Sequence, residues 1–186
     1  SIPDQAAGNV QGELIEVTTD VLDIRINTAG GSISYAGLIQ HPEELKTPDV
    51  PVVLMQDNPV ERYLAESGLT GSATPNLPNH HTQFSAQQLR YELGDADSLE
   101  IPLTYISPEG VEYEKVYRFE RDSYRIEVTY RINNKSSETW KGHFYGHLLR
   151  TEPSTEGGGS ILTGQMPSFT GGAFYTPEEH YNKIKF

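Results

Sequence analysis

A chain of 186 residues has room for one domain with a hydrophobic core of its own. Its 26 Asp and Glu against 14 Lys and Arg give a formal charge of -12, and a surface of that sign is repelled by phosphate backbones and anionic headgroups, which argues against nucleic acid and a charged bilayer as partners. The absence of cysteine rules out disulfides and thiol chemistry, and no apolar run approaches the roughly 20 residues of a membrane-spanning helix.

Residues 1–12 carry no periodic pattern and read either as a linker leading in from something upstream or as a frayed terminus. Residues 13–19 and 21–27 give two strand patterns; in the second, Leu22, Ile24 and Ile26 alternate with Asp23, Arg25 and Asn27. Gly30 and Gly31 then supply a turn that needs positive φ, and residues 32–39 continue as a strand. A phosphate-cradling role for the glycine pair lacks the Lys and helix N-terminus it would need. Pro42, Pro48 and Pro51 keep residues 41–51 irregular, with at most a helical turn around 43–46. Residues 52–55 form a short apolar strand, 63–69 show no decisive period, and 71–81 read as a long polar loop, mobile or functional. Two further strands are expected at 88–93 and 98–106.

Residues 111–132 carry the clearest pattern. Val111, Tyr113, Tyr117 and Phe119 share one face, interrupted only by Lys115, and after Arg121, Asp122 and Ser123 the alternation resumes with Tyr124, Ile126, Val128, Tyr130 and Ile132. This predicts an antiparallel hairpin with one apolar and one wet face, and the apolar face implies a second sheet to cover it. The carboxylates Glu112, Glu114, Glu120 and Glu127 on the wet face read as a solvated charged surface. A turn follows at 133–136, a strand at 138–149, and a glycine-rich loop at 151–159, with a short apolar pair at Ile161 and Leu162 and a further segment at 169–175. Thr176, Pro177 and Glu179 have the spacing of a capping box, which predicts a short helix over 177–184.

Chemistry-bearing motifs are sparse. His143 and His147 have the spacing of a helical zinc pair, but Trp140, Phe144 and Tyr145 argue for a strand, where four residues span about 13 Å and cannot share one ion. His80 and His81 read as a solvated pair in the polar loop. No catalytic, cofactor-binding or metal-binding motif is recognised. Phe169, Phe174, Tyr175 and Tyr181, with Phe186, cluster near the end in glycine-rich context; they either cover the sheet with the terminal helix or form a contact surface for a protein partner.

Residues 21–24 with 27–31, then 67–71, then 169–177, then Tyr181, Lys183, Lys185 and Phe186, taken in this order, resemble the first large periplasmic domain of the YidC membrane protein insertases of Gram-negative bacteria. The resemblance implies a mainly β fold, an antiparallel β-supersandwich like that of galactose mutarotases with a short C-terminal helix. It makes residues 1–12 a linker from an upstream transmembrane helix and 13–186 a periplasmic β-sandwich domain incomplete at its C-terminal end, with edge strands exposed. The implied role is non-catalytic: aiding insertion and folding of inner-membrane proteins through contacts with accessory subunits of the Sec translocon or with nascent membrane proteins. It implies no cofactor, no nucleic acid, and membrane attachment only through transmembrane helices. The alternative is a carbohydrate-binding or aldose-epimerase-like module of the same fold, which would need a His and a carboxylate within about 3 Å of one solvent-filled spot.

Overall fold

The computed structural model describes residues 12–151 and 171–185, which fall in two compact units, 1–150 and 151–186. The first unit contains β1 (Leu14–Thr18), β2 (Leu22–Asn27), β3 (Ser32–Pro42), β4 (Pro51–Asp57), β5 (Arg62–Thr70) and β6 (Ser85–Ala86). It continues with β7 (Arg90–Glu92), β8 (Ser98–Ile106), β9 (Val111–Glu120), β10 (Glu127–Asn134) and β11 (His143–Arg150). They form a seven-stranded sheet ordered β11-β5-β4-β3-β2-β1-β7 and a four-stranded sheet ordered β10-β9-β8-β6. Pairing is antiparallel except between β1 and β7, which run parallel. The mainly β class and the second sheet therefore agree with the sequence pattern.

The core lies between the sheets. Ile15, Val17, Ile24 and Ile26 from one sheet and Ile101, Leu103, Tyr117 and Phe119 from the other belong to a single buried cluster, because strands of period two present one face each and those faces must be removed from water. The turn between β2 and β3 has Gly30 at φ 76° and Gly31 at φ 55°, the left-handed region that glycine enters without steric penalty. A side chain at Gly30 would also strike the His80 carbonyl oxygen, 2.1 Å from an added Cβ.

The β9–β10 hairpin has the expected faces but a longer connection. Pairing runs from Val111↔Asn134 to Arg118↔Glu127, so residues 121–126 lie outside the strands and Tyr124, 45% exposed, is not on the inner face. Tertiary contacts hold the connection open: the Asp122 N–H donates to Asp20 Oδ2 at 2.8 Å and Arg121 donates to the carbonyls of Gly94 and Ala96. The Tyr124 hydroxyl lies 3.0 Å from His41 Nε2. On the outer face Glu112, Glu114 and Glu120 are paired rather than merely solvated. Arg131 reaches Glu100 at 2.7 Å and Glu114 at 3.1 Å, and Glu120 receives Arg118 and Arg125 at 3.1 and 3.2 Å. These pairs are half in water, so Arg131→Gln is expected to leave the urea unfolding midpoint nearly unchanged, with any difference shrinking in high salt.

Other boundaries moved. The ambiguous 63–69 segment is strand β5, paired with β11 from Thr70↔His143 to Tyr63↔Arg150, while Trp140 precedes β11 and packs beside Tyr113 instead, donating from Nε1 to its hydroxyl at 3.1 Å. Residues 43–46 form no helix.

The second unit holds β12 (Gly171–Phe174) and β13 (Asn182–Lys185), an antiparallel pair from Gly171↔Lys185 to Phe174↔Asn182. The expected helix over 177–184 is not formed. Its capping bond is: Glu179 N–H donates to Thr176 Oγ1 at 2.9 Å, and Thr176 N–H donates to the Glu179 carbonyl at 3.1 Å. That second bond closes a hairpin loop, so the Thr-x-x-Glu spacing that fits a helix N-terminus here ties a turn between strands.

Candidate functional site

The two-residue period of β9 points Lys115 inward with Tyr113, Tyr117 and Phe119, and it is fully buried. Its Nζ donates to the carbonyl oxygens of Gly30 at 2.9 Å, Gly31 at 2.8 Å and Ser67 at 3.2 Å. Three carbonyls match the three hydrogens of an ammonium, which is how a buried cation avoids being an unpaired one. The rings of Phe84, Tyr117 and Tyr130 lie 5.5 to 5.9 Å from Nζ and add cation–π attraction. The hydroxyl of Tyr117 donates to the Gly31 carbonyl as well, and that of Tyr130 to the Ser67 carbonyl at 3.4 Å. Three residues of the smaller sheet thus grip two points of the larger one. Burial pushes the Lys115 ammonium down to about 7, while the Glu66 carboxylate opposes the fall. Burial also pushes the Tyr117 and Tyr130 hydroxyls well up, so both remain donors.

The other face of β5 and β11 carries a second polar cluster. Register places Glu66 opposite His147 and Gly68 opposite Tyr145. His147 Nδ1 lies 3.0 Å from Glu66 Oε2. Residues 78–84 pass over this face: Leu69 N–H donates to the Pro78 carbonyl, Gly30 N–H to the Thr82 carbonyl, and Phe84 N–H to the Thr28 carbonyl, all at 2.8 to 2.9 Å. His80 is therefore not solvated as its polar neighbours imply but 6% exposed. Its N–H donates to the Tyr145 hydroxyl oxygen at 3.2 Å and its Nδ1 lies 2.6 Å from that oxygen. The His81 and His147 rings are centred 4.0 and 6.2 Å from its own.

A pocket of about 270 Å³ lies on the inner side, lined among others by Ile33, Ala65, Tyr117, Val128, Phe144 and Leu148. Glu66 and His147 are at its wall, but strand alternation turns their side chains to the face opposite Phe144 and Leu148. Glu66 and His147 bond to each other rather than converging on a third point, and His147 keeps a side-chain exposure of 35%. His143 and His147 do lie on a strand, four residues apart. Among the described residues no group of three or more His, Asp or Glu is placed to hold a metal.

Of the aromatic candidates, Phe174, Tyr175 and Tyr181 are 40%, 68% and 65% exposed on the β12–β13 hairpin and its loop; Phe169 lies outside the described residues. The Tyr175 hydroxyl reaches His180 Nδ1 at 3.3 Å, and Lys183 Nζ sits 5.6 Å from the Tyr181 ring centre. Sequence reasoning missed Lys115, Glu66, His80 and Tyr145. Lys115 had a usable signal, since the alternation that it seemed to interrupt already assigned it to the inner face.

The sequence pattern of the YidC periplasmic domain matches residues 14–186. The chain belongs to that family. The membrane protein insertase YidC of Nitrosococcus oceani is 36% identical over 173 residues, covering 92% of this chain and 31% of its own length. That of Shewanella baltica is 37% identical over 183 residues, with coverages of 97% and 33%, and that of Alcanivorax borkumensis 34% over 184 residues, with 98% and 32%. The chain spans about a third of the length of these relatives. As a YidC periplasmic domain it lies at the periplasmic face of the inner membrane. Two of the strings that carry the YidC resemblance, 27–31 and 67–71, contain Gly30, Gly31 and Ser67, whose carbonyls hold Lys115.

Proposed function

We propose that this domain serves a YidC insertase as a non-catalytic contact module, aiding insertion and folding of inner-membrane proteins by binding accessory subunits of the Sec translocon or the emerging membrane protein. The family match over residues 14–186 carries this reading. The Glu66–His147 contact, in which the two groups are spent on each other, weighs against acid–base chemistry on a sugar. The two-sheet sandwich is compatible with a supersandwich of the galactose mutarotase type, and we read it as part of one. The contact surface we assign is the hairpin of the second unit. Phe174, Tyr175, Tyr181 and Ile184 expose large apolar side chains there, of the types enriched where proteins bind one another.

The test uses the 186-residue chain as bait on detergent-solubilised inner membranes, beside a charge-matched unrelated β domain and a bait carrying Phe174→Ser, Tyr175→Ser and Tyr181→Ser. Recovery of translocon subunits by the first bait alone is the expected outcome. Equal recovery by the triple variant would move the contact surface elsewhere, and no specific recovery would overturn the contact role.

A further inference from the structure

Strand β11 is a sheet edge without the usual safeguards. Among the described residues it pairs with β5 on one side and with no strand on the other. Edges are normally blunted by short length, charge, proline or a bulge, because a free row of N–H and C=O groups recruits another strand. The other edges follow that rule: β6 and β7 have two and three residues, and β10 carries Glu127 and Arg131 at exposed positions. β11 has eight residues, none of them Lys, Pro, Asp or Glu, and an unbroken register against β5. Phe144 and Leu148, on its inner face, remain 56% and 61% exposed. Gly146, between them, answers no need of the single chain. It does not have the positive φ that favours glycine, an added Cβ would meet only the Phe144 ring at 3.9 Å, and no bulge interrupts the ladder there. Glycine weakens a strand, so one that neither turns the chain nor relieves a clash marks a place where another backbone comes close.

The strand supplies the fitting partner itself. Antiparallel pairing of β11 with its own copy, Gly146 opposite the partner's Gly146, sets Phe144 opposite the partner's Leu148 on the same inner face. Each Phe144 ring then reaches diagonally over the partner's Gly146. A two-fold contact must be self-complementary, and here one strand holds both the ring and the space that receives it. Charge selects the same place: each copy carries -12, so two copies repel over most of their surface, whereas β11 brings Arg150 and no carboxylate. We propose that β11 is the interface of a homodimer, in which two copies join edge to edge about Gly146 and Phe144 of each copy covers the inner pocket of the other, whose wall includes Gly146 and Leu148. The interface draws no residue from the hairpin of the second unit.

Sedimentation equilibrium of the 186-residue chain tests this. The expected result is a mass that rises with concentration toward twice the monomer value. Leu148→Lys, which turns a charge inward at the edge, is expected to weaken the dimer about tenfold or more. Thr129→Lys, the same change of charge at an exposed position of β10, is expected to leave it within about twofold. A monomer at every concentration up to about 1 mM, or equal weakening by the two variants, overturns the interface. Because the chain has no cysteine, Gly146→Cys gives a second reading that leaves Phe144 and Leu148 in place. Mild oxidation is expected to join this variant to its own copy at least about tenfold faster than it joins Thr129→Cys, since only opposed Cβ atoms come within bonding range. Equal rates at the two positions overturn the interface as well.

Discussion

Lys115→Ala is expected to destabilise the domain by about 4 kcal/mol in urea unfolding with an unchanged slope, the largest loss of any single change considered. Two terms combine. The long stem leaves a void between the sheets that packed neighbours fill only partly. In addition, three carbonyls lose a charged donor, of which Gly31 and Ser67 keep tyrosine hydroxyls while Gly30 keeps none from this cluster. Lys115→Met separates the terms, since it restores most of the volume and none of the hydrogen bonds; it is expected to cost about 2 kcal/mol. A Met variant as stable as wild type would show that the ammonium is a solved liability rather than a bond between sheets. The pH response distinguishes further. Because burial holds the folded group near 7, below the value of an exposed lysine, the unfolded chain binds that proton more tightly. Wild-type stability is therefore expected to rise from pH 7 to pH 9, and that of the Met variant to stay level over the same interval.

This central lysine shows how far the sequence could be read. Period two along 111–120 and 128–132 predicted an inner face that the structure reproduces, with Val116 of the opposite parity also buried, because a two-fold alternation is a property of the strand itself. It also predicted where Lys115 points. What it could not supply was the reason, which lies at Gly30, Gly31 and Ser67, distant in sequence and contributing only backbone oxygens. Side-chain patterns carry no trace of a carbonyl's direction. His80 failed for a related cause: local composition marked 71–81 as polar loop, and only the pairing of β5 with β11 creates the face that buries it. The Thr176 cap failed differently. Its hydrogen bond forms as expected, but a capping bond fits both a helix N-terminus and a tight turn, and the pairing of β12 with β13 decides between them.

Tyr130→Ala is expected to cost about 3 kcal/mol, and Tyr130→Phe about half a kcal/mol. Tyr130 stands on β10, the outermost strand of the smaller sheet, where loss of a side chain could be forgiven by water entering from the edge. Its position argues otherwise. The ring packs against both buried clusters, stands 6.1 Å from Phe144 of the other sheet's edge strand, and faces the Lys115 ammonium at 5.9 Å. Removing it opens the inner pocket toward Lys115, so water would reach a cation whose partners were chosen for a dry site. The Phe variant keeps the ring and loses only the hydroxyl bond to Ser67, which at 3.4 Å is long and worth correspondingly little. Equilibrium unfolding of both variants, with a double-mutant cycle against Lys115→Met, gives the coupling between ring and ammonium directly. A coupling of about 1 kcal/mol or more marks the two as one grip on the larger sheet. Additive losses would mean that ring and cation act separately, and an Ala loss under about half a kcal/mol would show that Tyr130 does not help hold the sheets together.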